Sequence, residues 1–266
     1  MLRRGLLAME KRCERFDRFV RQQARIDLFR PFKTKDGHLI VLDASFNPPH
    51  LAHQELVKVA AQQYSDASVL LALSTSNADK GDGKREDYGH RLGMLDGFVL
   101  DTEEALGLKD RIGYGLINCP RFVDKLSAVR QVHPQGEVVF VVGYDTLVRI
   151  LDQKYYEQPL SQALQEFMEQ CRLQVLTRKP DQESKTPQSV DPDLDKQLEF
   201  ISNISKGLVP NVPKQWSDRI TVVKSTDSTE GVSSSLARKL SKSEPNTLAK
   251  LVTPRVLDYI QASQPY

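Results

Sequence analysis

The sequence predicts an α/β protein in which a mainly parallel sheet is covered by helices on both faces. Three observations predict it. Short apolar, β-branched runs such as Leu39-Ile40-Val41-Leu42, Val69-Leu70-Leu71-Ala72-Leu73 and Glu137 to Val142 (EVVFVV) read as buried strands. Between them lie stretches whose apolar residues recur at helical spacing. The two signals alternate along the chain, as a parallel sheet with crossover helices requires. In such a sheet, ligands sit beyond the carboxyl ends of the strands, at a topological switch point.

At 266 residues the chain can bury a proper core, as one large domain or two small ones. Lys plus Arg is 37 and Asp plus Glu is 35, so a formal charge of +2 argues against a broad nucleic-acid footprint. Cys13, Cys119 and Cys171 are isolated, which predicts reduced thiols in a cytoplasmic or nuclear protein. No apolar run approaches the roughly 18 residues needed to span a membrane. The opening MLRRGLLAMEKR is mildly basic and leaves mitochondrial import as a minor alternative, but Glu10, Glu14 and Asp17 are out of place in a transit peptide. Arg12 to Phe29 reads as an amphipathic helix with Phe16, Phe19, Val20 and Ile26 towards the body, a surface for packing or for protein partners. The expected division is a helical extension over 1–36 and a main domain over 37–266. The oligomeric state has no signature in the sequence.

The elements follow in order. The first helix of the main domain begins near Pro49, with Leu56, Val59, Ala60 and Tyr64 along one face. After the second strand come Ser74 to Lys80 and a polar loop, Gly81 to Gly89. Arg91 to Leu100 looks helical through Leu92, Leu95, Phe98 and Val99. Arg111 to Asn118 is a candidate strand diluted by Gly113 and Gly115, and Pro120 opens a helix through Gln131 with Phe122, Leu126 and Val129 inward. The next helix is expected near Leu147 to Asp152, and another from Pro159 to about Cys171. Leu173 to Thr177 is a strand. The polar, proline-rich segment 179–193 (KPDQESKTPQSVDPD) reads as a mobile surface insertion. Leu194, Leu198, Ile201 and Ile204 mark a helix, Arg219 to Val223 the last strand, and two helices start near Ser234 and Pro254.

The stretch Asp43-Ala44-Ser45-Phe46-Asn47-Pro48-Pro49-His50-Leu51-Ala52-His53 joins the first clear strand to its helix. Unpaired N–H groups and the helix dipole make such a junction an anion site. His50 and His53 lie about 60° apart around the first turn, so both can face one anion. A zinc site is not expected, because a helical histidine pair for zinc is spaced i,i+4 with a nearby carboxylate. Further on, Gly231-Val232-Ser233-Ser234-Ser235-Leu236-Ala237-Arg238 places hydroxyls at a helix start. Arg238, one turn later, can reach the same oxygens with a planar fork of donors. Gly143 at a strand end permits close approach of a ligand, and Asp145 can take ribose hydroxyls.

SFNPPHLAH resembles the GSFNPPHxGH pattern of nicotinamide and nicotinate mononucleotide adenylyltransferases, within the HxGH nucleotidyltransferase superfamily. GVSSSLAR resembles the ISSTxxR motif of that family, with Ser235 in place of threonine. Val142 to Asp145 resembles its GxD segment, and Asn77-Ala78-Asp79-Lys80 its lysine loop. The resemblance runs from about Leu39 to Ile260, is densest at the two phosphate motifs, and is greatest to a divergent fungal branch. It implies a Rossmann-like nucleotidyltransferase fold and the reaction of ATP with nicotinamide mononucleotide to give NAD+ and pyrophosphate. It implies His50, His53 and Arg238 as catalytic residues. ATP would contact Ser45, Phe46, His53, Gly143, Asp145, Ser234, Ser235 and Arg238, with Mg2+ arriving on its phosphates. Lys80 and Tyr156 would hold the mononucleotide. Two glycines of the pattern are alanines here, Ala44 and Ala52. The tryptophans that stack the nicotinamide ring have no counterpart: Trp216 lies elsewhere and Asn118 to Phe122 contains none, which leaves Tyr156 as the aromatic face. Two alternatives follow, nicotinate mononucleotide as the acceptor, or an ATP-binding, weakly ATP-hydrolysing regulator. All three readings require the histidine pair and the serine–arginine cluster to meet.

Overall fold

The computed structural model describes residues 2–33, 37–76, 85–177, 193–226 and 231–266, with side chains from Leu7 onward. Helix α1 (Leu2–Arg21) and strand β1 (Ile26–Arg30) come first. Then follow β2 (Leu39–Ala44), α2 (Leu51–Gln63), β3 (Ser68–Ser74), α3 (Arg85–Leu106) and β4 (Ile112–Ile117). The second half holds α4 (Phe122–Val129), β5 (Val138–Gly143), α5 (Tyr144–Ile150), α6 (Leu160–Ala163), α7 (Gln165–Gln170) and β6 (Cys171–Leu176). It closes with α8 (Leu194–Ser205), β7 (Ile220–Val223), α9 (Ser234–Ser243), α10 (Pro245–Leu248) and α11 (Pro254–Ser263).

The strands form one sheet in the order β1-β4-β3-β2-β5-β6-β7. Every neighbouring pair is parallel except β1, which runs antiparallel along β4. From β2 the chain steps outward through β3 to β4, then returns to the other side of β2 for β5 and steps outward again. The reversal between β2 and β5 is the switch point where such sheets open a crevice. Pairing of Leu42 with Val141 brings the ends of these two strands side by side. Leu39 and Val41 face one core with Val138 and Phe140, while Ile40 and Leu42 face the other with Phe98, Val99 and Val256. Cover on both faces is why the strand is uniformly apolar.

Several expectations need correction. The helix expected over Arg12 to Phe29 is instead α1, and residues 26–30 are strand β1. Phe16 and Phe19 are buried as expected, but Val20 is 50% exposed. Strand β1 is half-buried along its length, so neither alternation nor an apolar run betrays it. Arg15 ties α1 to β1 through two bonds to the Asp27 carboxylate, at 2.9 and 2.7 Å. The glycines that diluted β4 exist for this neighbour. A methyl at Gly113 would sit 2.6 Å from the Arg30 carbonyl oxygen, and one at Gly115 would strike the Asp27 carbonyl. Helix α3 is longer than expected because Gly89, read as loop, lies inside it. There the missing side chain makes room for Cys13 Sγ, 2.7 Å from where a Cβ would stand. Residues 178–192 and the Lys80 loop lie outside the described residues, so the insertion expected over 179–193 is described only at Asp193, whose carboxylate caps α8 by accepting from Asp195 N at 2.9 Å.

Replacing Gly115 with Ala should therefore lower unfolding free energy by about 1–3 kcal/mol, the usual range for overpacking. Urea denaturation reads this directly, and an unchanged midpoint would show that β1 does not press on β4.

Candidate nucleotide site

Beyond β2 the chain makes one turn before α2. Phe46 adopts a left-handed backbone (φ 42°) and its ring is fully buried, 5.0 Å from the His53 ring. The side chain thus anchors the turn, and only the backbone of Phe46 is placed to meet a ligand. His50 is the residue before α2, and its N–H donates to His53 Nδ1 at 3.1 Å. That bond caps the helix and occupies Nδ1 as an acceptor, so a neutral His53 carries its proton on Nε2. The two rings stack with centroids 3.8 Å apart, each less than a tenth exposed.

Helix α9 docks on the same turn. Ser233, and not Ser234, provides its cap, accepting from Leu236 N at 3.2 Å. Ser234 Oγ donates to the Pro48 carbonyl at 3.0 Å, and Arg238 Nη1 donates to the Asn47 carbonyl at 2.6 Å. Arg238 Nη2 also donates to Ser235 Oγ at 3.2 Å. Tyr266 adds a bond from its hydroxyl to Asn47 Oδ1 at 2.9 Å. The N-termini of α2 and α9 therefore approach one loop, and their N–H groups and dipoles give it a positive field suited to phosphate.

At the end of β5, Gly143 precedes α5 and Asp145 lies in its first turn. A methyl at Gly143 would stand 2.8 Å from Asp145 Oδ1, so glycine lets the carboxylate fold back over the strand end. Arg149 approaches that carboxylate at 3.9 Å. Between this edge and α4 opens a pocket of about 860 Å³, its mouth included, with Asp43, Ser76, Phe122, Lys125, Arg149 and Tyr156 in its walls. The Tyr156 hydroxyl donates to the Ile150 carbonyl at 2.9 Å. Burial pushes its pKa up to about 12, so it remains a neutral phenol.

Sequence reasoning picked out Ser45, His50, His53, Ser234, Ser235, Arg238, Gly143, Asp145 and Tyr156, and these gather around the ends of β2 and β5. Lys80 lies outside the described residues. Lys125 and Asp43 were missed. They form a buried ion pair in the pocket wall, with side chains 5% and 11% exposed. The signal was present: Phe122, Lys125, Leu126 and Val129 follow the i, i+3, i+4, i+7 stripe, which puts a lysine on the apolar face of α4.

A parallel sheet reversing at β2 and β5, with two helix N-termini converging on the turn at the reversal, defines an α/β protein of the class that opens a ligand crevice there. The chain belongs to the cytidylyltransferase-like family, whose sequence pattern matches residues 41–240. It is 30% identical over 260 residues, 97% of both chains, to a Schizosaccharomyces pombe (strain 972) protein described as "Putative nicotinamide mononucleotide adenylyltransferase". Its fold is shared with a Plasmodium falciparum nicotinic acid mononucleotide adenylyltransferase complexed with NaAD. The TM-score is 0.55 at 16% identity, covering 85% of this chain and 95% of that one. The same Plasmodium enzyme complexed with APC gives 0.52 at 15% identity over 85% and 96%.

Arg238→Lys keeps the charge but cannot hold the Asn47 carbonyl and Ser235 together with a planar fork. ATP affinity, measured by isothermal titration calorimetry, should fall about tenfold, or 1.4 kcal/mol. Unchanged affinity would show that charge alone suffices there.

Proposed function

We propose that this protein is an adenylyltransferase that makes NAD+ and pyrophosphate from ATP and nicotinamide mononucleotide. The observation that carries the reading is the junction of two motifs about 180 residues apart. Ser234 and Arg238 hydrogen-bond to the backbone of the very turn that leads into His50 and His53. The name given to the fission-yeast relative supports the choice of reaction.

The reaction needs one bond made and one broken. An oxygen of the acceptor phosphate attacks the α-phosphorus of ATP, and the bridge to the β-phosphorus breaks in line. Positioning and charge stabilisation carry such a transfer, with no covalent work by the protein. The backbone of Ser45 and Phe46 and the His50–His53 pair hold the transferring phosphate. Ser234, Ser235 and Arg238 receive the charge that develops on the departing pyrophosphate. Gly143 and Asp145 take the nucleoside of ATP, while Lys80 and Tyr156 place the mononucleotide. Oxygen ligands suit Mg2+, which would enter on the phosphates of ATP with water completing its shell. Three free, buried cysteines accord with a reducing cytoplasmic or nuclear setting.

One observation bears on a second acceptor. Arg121 and Arg149 line the pocket beside the paired Lys125, and nicotinate mononucleotide carries one more negative charge than the amide.

Purified protein mixed with ATP, Mg2+ and nicotinamide mononucleotide should yield NAD+, detected by a coupled dehydrogenase. ATP binding without NAD+ at high enzyme concentration would favour a regulator instead. His53→Ala should reduce turnover at least a hundredfold. It also removes a helix cap worth about 1 kcal/mol, so circular dichroism must show the fold retained; near-normal turnover would refute the role.

A further inference from the structure

We propose that the buried Asp43–Lys125 pair makes the pocket select the neutral carboxamide of a pyridine mononucleotide over the corresponding carboxylate. The inference rests on the function proposed above and names which of two acceptors that site takes. Asp43 is the penultimate residue of β2, and Lys125 lies on the inner face of α4. Lys125 Nζ donates to Asp43 Oδ2 and stands 4.8 Å from the centroid of the Phe122 ring. Phe122 and Tyr156, both in the same pocket wall, offer aromatic surface to a flat ring beside the pair.

The pair is asymmetrically satisfied. Asp43 Oδ1 is buried and has no hydrogen-bond partner among the described residues. An ammonium has three donors, and Oδ2 engages one of those of Lys125. What remains is therefore one acceptor lacking a donor, next to donors with capacity to spare. Oδ1 has no exposed surface as it stands, so the ring must turn the carboxylate towards it; a carboxamide then meets both needs at once, its NH2 donating to Oδ1 and its carbonyl accepting from Nζ. A carboxylate has acceptors only. It would leave Oδ1 unsatisfied and bring a second negative charge to it, where low dielectric strengthens the repulsion.

The other two cations of the wall do not reverse this. Arg121 is held by Asp124 at 2.9 Å and is 55% exposed, so water screens it. Arg149 already faces the Asp145 carboxylate. Ser76 Oγ, also buried in the wall with no partner among the described residues, can donate or accept and so discriminates neither acid nor amide.

Nicotinamide and nicotinate mononucleotide should be titrated separately into the wild-type protein and into Asp43→Asn by calorimetry, with turnover measured for both. The wild type should bind the amide at least tenfold more tightly. Asp43→Asn replaces the repelling oxygen with a neutral amide and should shift the ratio of affinities at least tenfold towards the acid. Because that variant leaves Lys125 buried without its counter-charge, the double variant Asp43→Asn, Lys125→Met is needed as well; it should bind the two acceptors about equally. An unmoved ratio, or equal weakening of both acceptors, would overturn the inference and assign the pair to the shared ribose or to packing. Failure of the wild type to bind either acceptor while still binding ATP would overturn the proposed function and this inference with it.

Discussion

The structure depends on the bonds that Arg238 and Ser234 make to the carbonyls of Asn47 and Pro48. A turn after a strand exposes backbone groups that must find partners, and a buried carbonyl without one costs free energy. Here the partners come from a helix nearly two hundred residues further along the chain. The cost of closing so long a loop grows only logarithmically with length. Once closed, the contact fixes two helix N-termini against one turn. The Leu51 N–H donates to the Leu251 carbonyl at 2.9 Å and the Tyr266 hydroxyl binds Asn47 Oδ1, so residues from α10 onward reinforce the same junction. The phosphate binding proposed above would then be a property of the assembled junction, since neither helix alone offers the donors of both.

The sheet decides where that junction can face. Because β2 lies between β3 and β5 with all three parallel, the turns after each of them emerge at one edge. His50 and His53 come from the turn after β2, Asp145 from the helix after β5, and Ser76 from the segment after β3. Lys125 enters across that edge from α4, and its partner is again the end of β2. The turn that carries His50 and His53 and the Asp43–Lys125 ion pair in the pocket wall are therefore adjacent for a topological reason. Only Ala44 separates Asp43 from Ser45, so on the proposed reading acceptor and donor nucleotide would meet over the end of a single strand.

Much of this was legible in the chain because local chemistry and global fold agree there. The run Leu39 to Leu42 is apolar at every position since both faces of the strand are covered. The turn that follows carries its own capping residues and a helix-compatible spacing of histidines. What escaped was set by contacts between segments remote in sequence. Strand β1 is half-buried at an edge, so its composition follows its contacts with α1 and β4, not a strand period. Gly113 and Gly115 looked like defects in a strand until the backbone crossing over them was known. Tyr266 gives no local hint of its bond to Asn47. Lys125 is different: it stood on an apolar stripe and was legible in principle, but its counter-ion was not, because Asp43 read as the beginning of a turn.

The departures at Ala44 and Ala52 can now be judged in physical terms. Glycine is indispensable where the backbone must take a positive φ. In this turn the positive φ falls on Phe46, while Ala44 ends a strand and Ala52 lies in the first turn of α2. Both have conformations that any residue adopts, and alanine even favours the helical one by about 1 kcal/mol over glycine. The substitutions therefore leave the turn undistorted, and their effect is confined to the space a methyl group fills. For Ala44 that space is the pocket wall, immediately beside Asp43. Ala44 thus shares that pocket with Phe122, Tyr156 and the Asp43–Lys125 pair, the side proposed above to take the acceptor. The alanines therefore leave the backbone of the proposed phosphate turn free to keep its course, and any effect they have falls on the shape of the pocket beside it.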